Sequence, residues 1–118
     1  MANSNDGDIP ENPYIALRKE WIAWHKEHPD VWELFHEYSW HIVARGLKRA
    51  SAQLTMGRVK WELIVERHEH HTAIPTKYIP FYVKLWIRTA PSHPIYKNGP
   101  LPGEEAARLD ALRQTSFL

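Results

Sequence analysis

The nine prolines of this 118-residue chain limit where its helices can run. Asn12-Pro13 is a strong helix start, because an asparagine side chain accepts from the free amides and a proline is preset for the first turn. Pro29 ends that helix near His28, since the residue before a proline avoids helical geometry. Four further prolines make the segment 91–102 a non-helical arm. The chain is therefore a series of short helices followed by this arm.

The second helix begins after Pro29, where Asp30 is expected to cap it and Glu33 to complete a capping box. Gly46 stands where a helix commonly ends in the left-handed conformation. Apolar side chains between these signals recur at helical spacing. The predicted buried face consists of Val31, Leu34, Phe35, Tyr38, Ile42 and Val43.

Ser51 is expected to cap a third helix over residues 52–67, and Thr76 a fourth that ends at about Ala90. Gly57 lowers the stability of the third helix by about 1 kcal/mol, which suggests that a neighbouring helix approaches it closely. The predicted buried face of the third helix consists of Leu54, Trp61, Ile64 and Val65, flanked by Val59.

These segments predict an all-α fold in three parts. Residues 1–11 are expected to form a disordered tail, residues 12–90 a small four-helix domain, and residues 91–118 the proline-rich arm with a short terminal helix over 104–114. The seam of that terminal helix is predicted to be Ala106, Leu109 and Leu112. The short turn Arg45–Ser51 between two helices invites comparison with the helix-turn-helix motif.

Composition excludes several classes of protein. A chain that is 43% hydrophobic and 12% aromatic is not wholly disordered, and the absence of cysteine rules out disulfides, thiolate metal sites and a cysteine nucleophile. The longest apolar runs, such as Leu63-Ile64-Val65, are too short to span a membrane. The polar N-terminus does not read as a signal peptide, so a cytoplasmic protein is the simplest expectation.

Charge is distributed in opposed blocks, although the formal net charge is only +1. Residues 1–37 contain eight acids and three bases, residues 38–103 contain ten bases and three acids, and residues 104–118 contain three acids and two bases. Two stretches of the middle block, Glu37–Glu62 and Glu69–Glu104, contain no acid between their end residues. Either the middle block binds an anionic partner or the acidic first helix neutralises it, and both interpretations stay open.

Bases of the middle block fall on helix faces, as a protein that neutralises phosphates requires. The fourth helix carries a predicted basic ridge with an exposed aromatic ring, formed by Lys77, Phe81, Lys84 and Arg88. The predicted nucleic-acid contacts are Arg45, Lys48, Arg49, Lys60, Arg67, Lys77, Lys84 and Arg88. The three bases that end the second helix also complement its dipole, which is the structural alternative.

Eight histidines raise the question of metal binding. The best cluster follows the third helix and supplies three weak candidate ligands, His68, His70 and His71. A polar helix end explains the same residues, since histidine suits the helix dipole there. No serine lies in a glycine elbow and no glycine-rich loop is present to cradle phosphate, so neither a cofactor nor an enzymatic activity is predicted.

Six tryptophans are many for a chain of this length. Three lie on predicted core faces, namely Trp21, Trp61 and Trp86, and three are less clearly inside, namely Trp24, Trp32 and Trp40. Exposed tryptophans are favoured at interfaces. The alternatives are a small core built from large side chains, or an interface with a second copy or with a host protein.

The central part of the chain carries a series of short motifs. They are Pro29-Asp30-Val31-Trp32-Glu33-Leu34-Phe35, then Gly46 and Ser51-Ala52, and finally Arg58-Val59-Lys60-Trp61-Glu62. Over residues 29–90 this series resembles a group of small uncharacterised proteins of tailed phages and prophages, whose tyrosine-rich segment matches Tyr78 and Phe81-Tyr82. The asparagine-rich loop of that group is replaced here by residues 73–77. The resemblance implies a phage origin and a small helical domain, and it implies no established activity.

Two functions are therefore expected from the sequence. The first is that of a non-enzymatic phage accessory protein, acting in the host cytoplasm, that binds nucleic acid through the basic helical surface. The alternative is a protein-interaction module that uses exposed tryptophans, either as a modulator of a host factor or as a structural homo-oligomer.

Overall fold

The computed structural model of the protein describes residues 11–69 and 73–115. All regular elements in this described part are helical, so the all-α prediction is confirmed. In chain order they are α1 (Pro13–Glu27), α2 (Pro29–Ala44), α3 (Ala52–Trp61), a π-helix (Glu62–Glu66), a 3-10 turn (Thr76–Tyr78), α4 (Ile79–Thr89) and α5 (Glu104–Thr115). The described chain thus has five α-helices, of which the last is the short terminal helix. The predicted tail lies outside the described residues apart from Glu11.

The described residues fall into two compact units. One joins residues 11–22 to residues 100–115, and the other spans residues 23–99. In the smaller unit α5 begins with a local cap, in which the Glu104 carboxylate accepts from the backbone amide of Leu101 at 2.9 Å. The predicted seam of α5 is exposed, with Ala106, Leu109 and Leu112 all open to solvent. The apolar spacing in this short helix therefore does not mark a buried face. The contacts of the first turn of α5, and not its predicted seam, hold the helix in place.

Asn12 caps α1 as the sequence predicts. Its side-chain oxygen accepts from the backbone amide of Tyr14 at 2.8 Å, and its amide group donates to the carbonyl oxygen of Gly103 at 3.0 Å. Gly103 has φ +82°, and a Cβ at this position would lie 2.5 Å from the Asn12 oxygen. Only glycine fits both the backbone conformation and the space, so this residue ties the start of α1 to the start of α5.

Prolines start helices here as well as ending them. Helix α2 begins at Pro29 and has no side-chain cap, so the prediction that Asp30 caps it is wrong. Proline has the backbone conformation of a first helical turn, so Pro29 starts the helix. Asp30 lies within that turn, where the helix dipole stabilises its negative charge. Thr76 is likewise no cap: it opens a 3-10 turn that leads into α4, which carries Pro80 in its first turn.

The core of the larger unit lies between α2, α3, α4 and the segment 90–96. Helix α2 buries Val31, Leu34 and Phe35 as predicted, whereas the predicted Tyr38, Ile42 and Val43 are half-buried. Helix α4 supplies most of the remaining core, namely Ile79, Phe81, Tyr82, Val83 and Trp86. Trp86 is fully buried, as its predicted core position requires.

Helix α3 faces the core with the side opposite to the predicted one. Its buried residues are Thr55, Met56 and Val59, continued by Leu63 of the π-helix. The predicted stripe is exposed instead, with Leu54 at 75% and Trp61 at 56% of full exposure, and Ile64 and Val65 also open to solvent. Both stripes have helical spacing, so periodicity alone does not choose between them.

A buried group of three hydroxyls decides that choice. The Tyr96 hydroxyl donates to Thr55 Oγ1 at 2.9 Å and lies 2.7 Å from Ser39 Oγ. Ser39 in turn donates to the carbonyl oxygen of Phe35, and Thr55 to that of Ser51. All three hydroxyls are buried, and burial raises the pKa of Tyr96. This hydroxyl group joins α2, α3 and the segment 90–96.

We expect Tyr96→Phe to lower the free energy of unfolding by about 1–2 kcal/mol, because the buried Ser39 and Thr55 hydroxyls lose a partner. Urea unfolding followed by circular dichroism measures it. Tyr38→Phe is the matched control, since it removes the same atom from a half-buried ring, and we expect a loss of about 0.5 kcal/mol or less. Equal losses in the two variants would contradict the central place given to the hydroxyl group.

Acid is expected to destabilise the protein through His25. Burial lowers the pKa of His25. Its ring packs edge-to-face with the Tyr82 ring, with 5.9 Å between the two ring centres. The pKa of His25 in the folded protein lies below the ordinary value of 6.5. Neutral His25 therefore contributes its full stabilisation to the folded state above pH 6.5, and this stabilisation is lost as the pH falls through the folded pKa. Below pH 6.5, His25→Gln should therefore give a shallower decline of unfolding free energy than the parent protein. His41→Gln, at an exposed position, should follow the parent, and a His25→Gln decline as steep as the parent's would refute the assignment.

Candidate nucleic-acid interface

The structure distributes the eight predicted nucleic-acid contacts over several elements of the larger unit. They lie in the turn after α2 (Arg45, Lys48, Arg49), on α3 (Lys60), after the π-helix (Arg67), in the 3-10 turn (Lys77) and on α4 (Lys84, Arg88). Of these eight, Lys48 and Arg49 line a pocket.

The turn after α2 is shaped by its glycine. Gly46 has φ +79°, its amide donates to the carbonyl oxygen of Val43 at 2.9 Å, and the amide of Leu47 donates to that of Ile42 at 3.3 Å. This pair of bonds is the Schellman arrangement that ends a helix at a left-handed glycine. The predicted stop at Gly46 is therefore confirmed. Directly beyond it, the chain exposes Lys48 and Arg49.

A second segment closes the pocket from the other side. The backbone amide of Ala50 donates to the carbonyl oxygen of Ile95 at 2.8 Å, which holds the turn 45–51 against the segment 91–97. Between them lies a pocket of about 480 Å³, lined by Val43, Gly46, Leu47, Lys48, Arg49, Ser92, His93, Pro94 and Ile95. Ile95 is buried, whereas Lys48 and Arg49 are exposed. The pocket, called the basic pocket below, thus combines an apolar interior with cations at its edge.

The electrostatics of the basic pocket follow from the charge pattern of the chain. Both segments that form it come from the two stretches of sequence that contain no acid. The lining residues therefore include the adjacent cations Lys48 and Arg49 and no carboxylate. Lys97, which the sequence analysis did not select, lies exposed in the second segment and belongs to the same acid-free stretch. A site of this composition favours an anionic ligand.

Aromatic side chains stand behind the basic pocket. The Trp86 indole donates to the carbonyl oxygen of His93 at 2.8 Å, and the Trp40 ring lies 5.3 Å from the His93 ring and 5.1 Å from the Trp86 ring. Trp40 is 38% exposed, and its indole donates to His36 Nε2 at 3.1 Å. The sequence did not show that Trp40 and His93 lie together, because two residues far apart in the chain give no spacing signal.

The predicted basic ridge on α4 is not formed as expected. Phe81 is buried at 4% exposure, so the exposed aromatic ring assigned to it is absent from that face. Lys84 is half-buried and donates to Asn98 Oδ1 at 2.9 Å and to the carbonyl oxygen of Gly99 at 3.4 Å. Lys84 therefore fixes the segment after Tyr96 to α4, and Arg88 stays exposed.

Arg67 belongs to a separate polar group around Glu62. Its Nε donates to Glu62 Oε2 at 3.2 Å, and the Tyr38 hydroxyl donates to Glu62 Oε1 at 3.2 Å. The Arg58 guanidinium pairs with the same carboxylate and lies 4.8 Å from the centre of the Tyr38 ring. The Arg67 hydrogen bond is the largest cause that lowers the pKa of Glu62, while burial raises the pKa of Tyr38. Glu62 is thus held as an anion between two arginines.

An exposed apolar surface adjoins that polar group. We call it the α3 face, and it consists of Leu54, Gly57, Arg58, Trp61, Ile64 and Val65. A groove of about 440 Å³ runs beside it, lined by Tyr38, His41, Ile42, Leu54, Thr55 and Arg58. Contiguous exposed apolar side chains of this size commonly mark a binding surface.

The metal hypothesis stays a prediction. His68 is described and has φ +55°, while His70 and His71 lie outside the described residues. The described part of the chain brings no three acidic or histidine side chains together as a metal site.

Comparison with known proteins gives no assignment. No protein-family model matches the chain, and neither a curated protein nor a solved structure is similar enough to count as a match. As to membranes, the helices of residues 11–69 and 73–115 include none with the length and apolar character of a span.

Proposed function

We propose that the protein is a non-enzymatic phage accessory protein that binds nucleic acid at the basic pocket. One observation carries this: the two acid-free stretches of the chain meet, joined by the Ala50–Ile95 hydrogen bond, and place Lys48 and Arg49 at the edge of one pocket. Cations grouped in this way neutralise adjacent phosphates and release their counterions. The motif resemblance of residues 29–90 supports a phage origin and a site of action in the host cytoplasm.

Helix α2, the turn 45–51 and α3 form the helix-turn-helix-like unit of this proposal. The turn, rather than α3, contacts the phosphates, because the outer side of α3 carries Leu54 and Trp61 where a recognition helix carries hydrogen-bond donors. Arg45, Lys48 and Arg49 are the main contacts. Lys60, Arg67, Lys77, Lys84 and Arg88 add to the surrounding positive potential.

The binding test is fluorescence anisotropy with short labelled single-stranded DNA, duplex DNA and RNA. Lys48→Glu/Arg49→Glu should lower the affinity for the preferred species at least tenfold and reduce the slope of log K against log salt by about 2. Arg18→Glu/Lys26→Glu is the matched control, because it changes the net charge equally at exposed positions of α1. Affinity in this control should stay within about threefold of the parent.

Two results would refute nucleic-acid binding at the basic pocket. One is that none of the three nucleic acids binds at low salt. The other is that the control loses as much affinity as Lys48→Glu/Arg49→Glu, since net charge alone would then explain binding. Lys84→Glu/Arg88→Glu in the same assay measures the contribution of α4, and we expect it to weaken binding; full affinity in that variant would remove α4 from the interface.

The α3 face favours a second candidate function, a protein-interaction module. Trp61 is 56% exposed on this face, and a large exposed aromatic side chain is typical of interface centres. Both a host-factor modulator and a structural homo-oligomer would use such a surface. The two proposed functions occupy different residues, so each is tested without the other.

A further inference from the structure

Gly57 has no explanation within a single copy of the chain. It is exposed in the middle of α3, its φ is not positive, and a Cβ added there would meet nothing within 4 Å. A glycine in a helix interior costs about 1 kcal/mol relative to alanine. The neighbouring helix that the sequence predicts at Gly57 is absent from the described residues of this copy. Gly57 therefore leaves open space on the exposed side of α3, where the backbone of another helix could approach closely.

The residues around Gly57 form a regular helical seam. Leu54, Arg58, Trp61 and Val65 follow one another at spacings of four, three and four residues, which is the pattern of a two-helix contact. All four are exposed, and they lie opposite the buried line that includes Val59. The π-helix extends this seam, because it keeps Leu63 buried while leaving both Ile64 and Val65 open.

The charges on the seam are self-complementary. Arg58 lies toward the N-terminal end of the seam and Glu62 beside its C-terminal half. When two copies of the helix cross antiparallel about a twofold axis, each N-terminal half meets the C-terminal half of the other copy. Within one copy Arg58 already pairs with Glu62 at 3.4 Å. An axis between Arg58 and Trp61 sets the two Arg58–Glu62 pairs beside each other with opposite charges facing, and it brings each arginine to the tryptophan of the second copy. A parallel arrangement would set like charges side by side.

We infer that the protein forms a twofold dimer in which the α3 faces of two copies cross antiparallel about an axis between Arg58 and Trp61, with Gly57 inside the contact. This rests on the second proposed function and names its partner as another copy of the same chain. The Trp61 ring of each copy covers Gly57 and stacks on the Arg58 guanidinium of the other, a favourable cation–π geometry. A contact made by one short helix per copy is small, so the dimer dissociates at low concentration.

Light scattering and analytical ultracentrifugation of the full chain, from micromolar to millimolar concentration, test the dimer. The measured molecular mass of the parent protein should rise from 13.9 kDa toward twice that mass. Trp61→Lys should stay monomeric, and Trp61→Ala should raise the dimer dissociation constant at least about thirtyfold, as expected of an interface centre. Trp32→Ala, a tryptophan off this face, is the matched control for dimerisation and should dimerise like the parent. Circular dichroism confirms that each variant is folded.

Gly57→Ala separates the interface from the monomer. Because a Cβ has open space within one copy, alanine should stabilise the monomer against urea. The same methyl group blocks the crossing, so the variant should dimerise at least about tenfold more weakly than the parent. A variant that is more stable and also dimerises normally would overturn the crossing point.

Charge exchange tests the antiparallel register. Arg58→Glu and Glu62→Arg each place like charges across the axis and should stay monomeric, whereas a mixture of the two variants should form a mixed dimer with opposite charges at both contacts. If the parent dimerises through Trp61 but the mixture of Arg58→Glu and Glu62→Arg does not form a mixed dimer, the antiparallel register is wrong and the dimer itself stands. A parent that stays monomeric at every concentration overturns the dimer, and a Trp61→Lys variant that still dimerises overturns both the dimer and the use of the α3 face as an interaction surface.

Discussion

The larger unit depends on the Tyr96 hydroxyl. It donates to Thr55 of α3 and lies beside Ser39 of α2, so one atom links two helices to the segment 90–96. Buried hydroxyls are costly without partners, and each of these has one. The basic pocket inherits its position from this link, because Ile95 comes directly before Tyr96 and accepts the hydrogen bond from Ala50.

The same hydroxyl fixes the rotation of α3. Thr55 must point inward to reach Tyr96, and successive residues of a helix differ by about 100°, so Leu54 and the residues in line with it turn outward. Trp61 is exposed for this reason. A polar requirement in the core has therefore produced an apolar surface outside it. The inferred dimer returns that surface to a buried environment, which is the usual fate of a large exposed apolar face.

Charge is organised by the fold at two levels. Locally, Glu62 pairs with Arg58 and Arg67, so the charges of these two arginines are partly neutralised by a residue close to them in the chain. At the basic pocket the lining residues include no acid, because both of its segments are acid-free in the sequence. The lysines and arginines predicted to contact nucleic acid thus include two groups. Some pair with a nearby residue, as Arg67 does with Glu62, and others line the basic pocket. Only the second kind gives an anion a concentrated positive site.

The sequence by itself determined the all-helical fold and most of the helix boundaries. Asn12, Ser51 and Gly46 act through hydrogen bonds or φ values within a few residues, so their effects can be read locally. Asp30 and Thr76 were misread because a proline at the start of a helix competes with a side-chain cap. Charge alone pointed to Lys48 and Arg49, which line the basic pocket. The tertiary structure decided which stripe of α3 is buried, that Phe81 belongs to the core, and that His93 and Trp40 adjoin the basic turn. These outcomes depend on contacts between residues far apart in the chain, such as Tyr96 with Thr55, which leave no trace in local spacing.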